Sequence, residues 1–188
     1  NQSAVALHES EQRFRALFDL GPIGTYTTDT SGTLMEFNRC AVELWGREPA
    51  RNSTEEIFCG SYKLQRPDGT LLPHAETPVF AVLMGAVDRV RDAEIIMERP
   101  DGSRITIISN IVPLKNERGE ITGMMNCFYD ITPRKELEHS LRRSAAQFET
   151  LLRAAPLGLY VVDADFRLCD ANPISIKVFG DIPGLIGR

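Results

Sequence analysis

The side chains best suited to chemistry, cysteine and histidine, are few and widely separated in this sequence. They are Cys40, Cys59, Cys127, Cys169, His8, His74 and His139. No pair has the spacing of a metal clip and no disulfide framework is suggested, so we expect reduced thiols packed mostly as small apolar groups, and no metal site. The sequence also lacks glycine-rich phosphate loops and the Gly-x-Ser-x-Gly motif, which favours a chain without catalytic residues.

The composition is that of an ordinary globular protein. Of 188 residues, 43% are hydrophobic and 25% charged, and the net charge is −5. Because basic residues are not clustered, nucleic-acid binding is disfavoured. The apolar runs are short, as in Ala81–Met84, and the first residues lack a signal-peptide pattern, so we expect no membrane segment within these residues. A membrane segment elsewhere in a longer parent chain stays open. Reduced thiols predict a cytoplasmic location.

Part of the sequence is repeated after 134 positions. An ungapped shift of that length aligns nine identical residues between segments 14–46 and 148–180. The identical pairs are Phe14–Phe148, Leu17–Leu151, Pro22–Pro156, Gly24–Gly158, Tyr26–Tyr160, Asp29–Asp163, Leu34–Leu168, Asn38–Asn172 and Gly46–Gly180. The spacing predicts one complete domain, a connector and the first part of a second, truncated copy.

Hydrophobic periodicity and turn residues divide the chain into four parts. These are an amphipathic helix over 1–20, a domain over 21–132, a helical connector over 133–154 and the incomplete second domain over 155–188. Within the domain, strands are predicted at 23–29, 33–38, 92–99, 103–113 and 120–130, and helices at 39–47 and 77–84. This order predicts an α+β fold, a five-stranded antiparallel sheet flanked by short helices.

The connector carries one apolar stripe. Leu137, Leu141, Phe148 and Leu151, with Ser144 between them, follow steps of 4, 3, 4 and 3 residues. This spacing fits a dimer seam between two helices. Packing of the stripe on the chain's own domain is the alternative.

Three motifs resemble those of the PAS family of sensor domains. Pro22–Tyr26, continuing through a turn at Asp29–Gly32, looks like a PAS opening, and Asp130–Lys135 reads Asp-Ile-Thr-Pro-Arg-Lys, which closely matches the family's closing signature. The incomplete repeat, with Phe179–Pro183, is similar to PAS repeats of bacterial sensor kinases.

The resemblance implies a cytoplasmic sensory and relay module of a bacterial sensor histidine kinase, a phosphotransferase of a two-component system. Such modules pass a change from the sheet through the connector helix to an output domain in the same chain, commonly as a homodimer. It also implies a signalling junction at Asp130, Thr132 and Arg134, where Asp130 can pair with Arg134 to set the angle of the helix.

The resemblance leaves the stimulus open. A small-molecule ligand would lie between the sheet and the middle helices, and the candidate lining residues are Tyr26, Phe37, Trp45, Phe58, His74, Phe80, Ile107 and Met125. Core packing is the alternative for each of them. In haem-binding PAS domains a histidine in the region of His74 binds the iron, and in flavin-binding ones a reactive cysteine follows an asparagine, a pattern that Asn38–Ala41 echoes only superficially.

Three other functions are compatible with the resemblance: the input of a cyclic-dinucleotide enzyme or phosphatase, a haem- or flavin-based sensor, and a dimerisation module without ligand. His139 on the connector is a candidate phosphoacceptor, and a solvent-facing helix residue is the alternative.

Overall fold

The computed structural model describes residues 2–52 and 57–180, with side chains from residue 8 onward. Residues 181–188, which carry part of the predicted Phe179–Pro183 motif, lie outside the described residues, as do residue 1 and residues 53–56. The chain forms two compact units, residues 1–133 and 134–188.

Among the residues that the structure describes, the first unit contains six strands and the second unit two. In chain order they are β1 Gly24–Asp29, β2 Leu34–Phe37, β3 Lys63–Gln65, β4 Val90–Glu98, β5 Arg104–Lys115, β6 Ile121–Asp130, β7 Tyr160–Val162 and β8 Leu168–Ala171.

Five α-helices and one 3₁₀ turn complete the described elements. They are α1 Gln2–Leu20, α2 Arg39–Trp45, the 3₁₀ turn His74–Glu76, α3 Pro78–Leu83, α4 Thr132–Ala154 and α5 Pro173–Phe179. The predicted connector helix is present as α4.

The six strands of the first unit form one antiparallel sheet in the order β2-β1-β6-β5-β4-β3. The hairpins β1–β2, β4–β5 and β5–β6 are consecutive in the chain, because tight turns join antiparallel neighbours. The pairing of β1 with β6 is long-range and unites the start of the domain with its end. The predicted α+β fold is confirmed, and the sheet has one strand more than predicted: β3 pairs with β4, with Leu64 opposite Met97.

The core lies between this sheet and the short helices α2 and α3. At its centre Trp45 contacts three aromatic rings, with centroid separations of 5.4 Å to Tyr26, 5.7 Å to Phe37 and 5.8 Å to Phe128. Gly24 lies where an added Cβ would come within 2.7 Å of the Phe128 ring. The glycine of the opening motif therefore lets β1 run close under this aromatic cluster.

The turn between β1 and β2 is organised by one carboxylate. Asp29 Oδ1 accepts hydrogen bonds from the Ser31 amide at 2.9 Å, the Ser31 hydroxyl at 2.6 Å and the Thr33 amide at 2.9 Å. An Asp at the head of a turn commonly bonds the backbone in this way, which is why the predicted turn forms here.

The second unit contains the hairpin β7–β8, the helix α5 and most of α4. Asn172 caps α5 by accepting hydrogen bonds from the amides of Leu159 at 3.0 Å and Ser175 at 2.9 Å. These residues stand 134 positions after Thr25, Asn38 and Ala41, which are joined by the same bonds in the first unit. The two units therefore share this local structure.

In the described part of the chain, no helix is both long and apolar enough to cross a membrane. Nor do three or more His, Cys, Asp or Glu side chains come together there in a way that could hold a metal ion.

Candidate functional site

A line of hydrogen-bonded polar side chains crosses the otherwise apolar core of the first unit. The Ser109 hydroxyl on β5 donates to Asn126 Oδ1 on β6 at 2.8 Å, and Asn126 Nδ2 donates to the Tyr26 hydroxyl on β1 at 3.2 Å. Tyr26 in turn donates to the Phe58 carbonyl oxygen at 2.9 Å. All three side chains are buried. Burying polar groups costs free energy unless they are paired. These hydrogen bonds therefore fix the position of the sheet relative to residues 57–62, here called the Phe58 loop.

The Phe58 loop brings a thiol, a hydroxyl and an imidazole together. Cys59 Sγ lies 2.7 Å from Ser61 Oγ, which lies 3.5 Å from His74 Nε2. His74 is thus linked to the Cys59 sulfur through the Ser61 hydroxyl. Cys59 and Ser61 are buried and His74 is half-buried, so the imidazole connects the thiol with the surface. His74 Nε2, the atom that a haem iron would need, thus lies beside Ser61 Oγ.

The pKa values of Cys59 and His74 are shifted in opposite directions. Burial raises the pKa of the Cys59 thiol, but hydrogen bonding to His74, the charge of His74 and hydrogen bonds from Ser61 outweigh it and lower that pKa below its ordinary value. The hydrogen bond to Cys59 raises the pKa of His74 although burial opposes this. Burial, with the nearby Cys59 charge, raises the pKa of Tyr26 well above its usual value, so the phenol stays neutral and can donate.

A cavity of about 20 Å³ lies between the hydrogen-bonded polar side chains of the sheet and the Phe58 loop. That volume accommodates roughly one water molecule. Its wall combines apolar side chains of the sheet, such as Ile107 and Phe128, with the polar groups of Cys59, Ser61 and Thr77.

The eight residues predicted to line a pocket occupy different places. Tyr26, Trp45 and Ile107 border the cavity. Phe37 packs edge-on against Trp45, and Phe58 and Phe80 pack on each other with centroids 5.6 Å apart. His74 reaches the cavity wall through Ser61.

The inward orientation expected of Met125 is wrong. On β6 the inward residues are Met124, Asn126 and Phe128, and Met125 is on the opposite face. Side chains alternate along a strand, so an error of one residue exchanges the two faces. Sequence reasoning also missed Cys59, Ser61, Ser109 and Asn126. Residues two apart on a strand share a face, so a register that buries Phe128 also buries Asn126. This spacing is the sequence signal from which the buried polar side chain could have been predicted.

The end of β6 is tied to its neighbour where α4 begins. Asp130 Oδ1 accepts a hydrogen bond from the Thr132 amide at 2.7 Å, and Thr132 Oγ1 accepts one from the Thr106 amide of β5 at the same distance. The Ile131 amide donates to the Thr106 carbonyl oxygen at 2.8 Å. The first residues of α4 are therefore bonded directly to the central sheet.

Arg134 has a different partner from the one expected. Its Nε lies 3.0 Å from Glu138 Oε1, one turn along α4. Asp130 acts at the junction as a cap of the Thr132 amide. A carboxylate two residues ahead of an amide is well placed for such a bond, and it stabilises the turn into the helix.

The connector stripe is exposed to solvent. The exposed fractions of Leu137, Leu141, Phe148 and Leu151 are 71%, 70%, 57% and 70%. Leu152, one position further, is buried. The four predicted seam residues therefore form one exposed apolar face along α4, with Ser144 between Leu141 and Phe148.

The architecture of the first unit, a six-stranded antiparallel sheet closed by short helices around one small interior site, is that of a PAS domain. Residues 12–92 match the family model described as PAS domain. The PAS domain of an HTR-like protein from Haloarcula marismortui has the same fold, with a TM-score of 0.50 and 22% identity over 69% of this chain and 98% of that one.

Two further proteins are similar to this chain. A PAS domain from Colwellia psychrerythraea is 26% identical, covering 65% of this chain and 97% of that one, with a TM-score of 0.47. The sensor protein TdiS of Thauera aromatica is 26% identical over 149 residues, which are 78% of this chain. The chain spans 26% of the length of TdiS.

Proposed function

We propose that this chain is the cytoplasmic PAS sensory and relay part of a larger bacterial signalling protein, a sensor histidine kinase. A change inside the first unit is passed through the strand-to-helix junction to an output domain in the same chain. The similarity to a named sensor protein several times longer supports this assignment.

The observation that carries the proposal is the short path from the cavity to the junction. Ile107 borders the cavity and is paired across the sheet with Asp130. Its neighbour Thr106 bonds both Ile131 and Thr132. A shift of β5 against β6 that accommodates a change in the cavity therefore moves the first turn of α4, because packed and hydrogen-bonded elements shift together.

The size of the cavity favours a small occupant or a partner-induced change. Sites for drug-sized ligands enclose about 300–1,000 Å³, whereas this cavity measures about 20 Å³. A stimulus of the size of one or two heavy atoms fits without rearrangement of the aromatic core.

The exposed stripe on α4 is the proposed dimer seam. Its heptad spacing places Leu137, Leu141, Phe148 and Leu151 on one side of the helix, and a second copy of the chain offers the matching stripe. Because the helix leaves the sheet at the junction, two such helices side by side would carry a rotation or register shift toward the output domains.

The test uses the full-length protein and its ATP-dependent autophosphorylation. Thr132→Val removes the bond to the Thr106 amide, and Asp130→Ala removes the cap. The matched control is Thr122→Val near the other end of β6. Its hydroxyl donates to the Leu114 carbonyl oxygen at 3.2 Å, and this bond is exposed to solvent.

We expect both junction variants to change the autophosphorylation rate several-fold while the control variant matches the wild type. The fluorescence of Trp45 verifies that each variant is folded. Absence of phosphate transfer from ATP would overturn the kinase assignment. Equal rates in all variants would overturn the relay through the junction.

A further inference from the structure

Cys59 differs from an ordinary core cysteine because its sulfur lies beside a hydroxyl that leads to an imidazole. Ser61 Oγ lies 2.7 Å from Cys59 Sγ and 3.5 Å from His74 Nε2, although only 8% of Cys59 is exposed. His74 and Ser61 lower the pKa of the Cys59 thiol. The thiolate is the reactive form of cysteine, and a neighbouring protonated imidazole stabilises it.

The sulfur also borders an interior space that limits what can reach it. The cavity of about 20 Å³ has room for roughly one water-sized molecule. The half-buried His74 lies 3.5 Å from Ser61 Oγ, which lies 2.7 Å from the sulfur, so a proton can pass between the sulfur and the surface along this chain. A reagent must therefore be small and polar to meet the thiolate in the folded protein.

We propose that Cys59 is a redox-sensing thiol for hydrogen peroxide, with His74 as the proton donor. The Cys59 thiolate attacks one peroxide oxygen, an S–O bond forms and the O–O bond breaks. The sulfur loses two electrons and becomes sulfenic acid, and the peroxide is reduced. The leaving hydroxide takes the proton of the His74 imidazolium and departs as water.

The added oxygen has a route to the junction. Cys59 directly follows Phe58, whose carbonyl oxygen is bonded by Tyr26 and thereby linked to Asn126 and Ser109 on the sheet. Sulfenic acid formation replaces a charged acceptor with a bulkier neutral group and consumes the cavity. Hydrogen peroxide would then be the stimulus of the proposed relay, and only this effect on the junction rests on the proposed function. The thiol chemistry itself does not depend on it.

The experiment measures oxidation of each cysteine in the intact chain. The protein is exposed to hydrogen peroxide, quenched at intervals and unfolded in the presence of dimedone and an alkylating reagent, and the label at each cysteine is quantified by peptide mass spectrometry. The internal reference is Cys169, an exposed thiol that donates to the Arg167 carbonyl oxygen at 3.7 Å. An ordinary thiol is only a few per cent ionised near neutral pH, so we expect Cys59 to react about tenfold faster than Cys169.

Two controls separate the proposed chemistry from simple exposure. His74→Gln should remove the rate advantage of Cys59 and leave Cys169 unchanged. With tert-butyl hydroperoxide, which is too bulky for the cavity, Cys59 should lose its advantage while Cys169 still reacts.

The pH profile is a further readout. The titratable groups that face Cys59 are His74 and Tyr26. Because His74 lowers the pKa of the Cys59 thiol, oxidation of Cys59 should stay fast to a lower pH in the wild type than in His74→Gln.

A Cys59 that reacts no faster than Cys169 would overturn the proposal. This comparison is made within one wild-type molecule and is independent of whether the variant folds. Because no kinase output is measured, failure here leaves the relay proposal intact, and failure of the autophosphorylation test leaves the thiol chemistry intact.

Discussion

Asn38 joins four backbone groups of the first unit, and Asn38→Ala removes all four hydrogen bonds at once. Its Oδ1 accepts from the Thr25 and Ala41 amides, both at 2.9 Å. Its Nδ2 donates to the carbonyl oxygens of Phe18 at 2.7 Å and Ile23 at 2.8 Å. The residue thus caps α2, holds the start of β1 and ties down the end of α1.

The magnitude follows from these contacts. Loss of the helix cap costs about 1 kcal/mol. Each of the other three bonds contributes about 0.5–1.5 kcal/mol, and water restores part of this because those partners are only partly buried. We expect the free energy of unfolding to fall by about 3 kcal/mol, or the melting temperature by about 10 °C for a unit of this size.

Urea unfolding followed by tryptophan fluorescence measures this change in the right unit. Trp45 is the single tryptophan, and it is 1% exposed in the core of the first unit. The matched control is Asn116→Ala in an exposed turn, where Oδ1 accepts from the Arg118 and Glu120 amides at 3.0 Å. Water can replace those bonds, so we expect a loss below about 1 kcal/mol.

The reasoning would be refuted if Asn38→Ala shifted the urea midpoint no further than Asn116→Ala. The four buried or partly buried bonds would then contribute no more than an exposed turn.

Three further predictions concern the core, the loss of stability at acid pH (the acid limb) and the α4 stripe. Tyr26→Phe leaves a buried carbonyl and amide without their partner and should cost about 1–3 kcal/mol; the same change at Tyr129, which is 39% exposed, should cost little, and equal urea midpoints would contradict this. Burial raises the pKa of Asp29, but hydrogen bonds from its turn outweigh it and lower that pKa, so its contribution to stability is complete above about pH 4 and is lost as pH falls through the folded-state value; Asp29→Asn should flatten this part of the pH dependence of unfolding, and an unchanged acid limb would count against it. Leu141→Glu should abolish the proposed dimer in sedimentation experiments, whereas Ala146→Glu on the far side of α4 should not; a dimer that survives Leu141→Glu would exclude the seam.

Much of the secondary structure was readable because it depends on neighbours in the chain. Asp29 predicts its turn through bonds to residues two and four positions on. Asn38 caps α2 three residues later, as a side chain with a short acceptor commonly does. The strands β5 and β6 appear in the sequence as long apolar runs joined by a turn, and the structure places them as central neighbours.

The site was far less readable. Cys59 and His74 are separated by a strand and a turn, and neither has a local pattern that predicts the other. Met125 was placed on the wrong face because Met124 and Met125 are equivalent to a hydropathy pattern, and only packing of Phe128 and Asn126 decides the register. The expected partner of Asp130 was wrong for a similar reason, since Arg134 had a competing acid, Glu138, one helical turn away.

By itself, the sequence determined the order of helices and strands, the turns between them, the internal repeat and the apolar stripe of α4, because each rests on bonds or periodicity within a few residues. Only the tertiary structure decided that β3 joins the sheet, that Tyr26 and Asn126 link the sheet to the Phe58 loop, and that His74 meets Cys59 beside the cavity. These contacts join distant parts of the chain, and their energies depend on burial and pairing that exist only after the whole domain has closed around them.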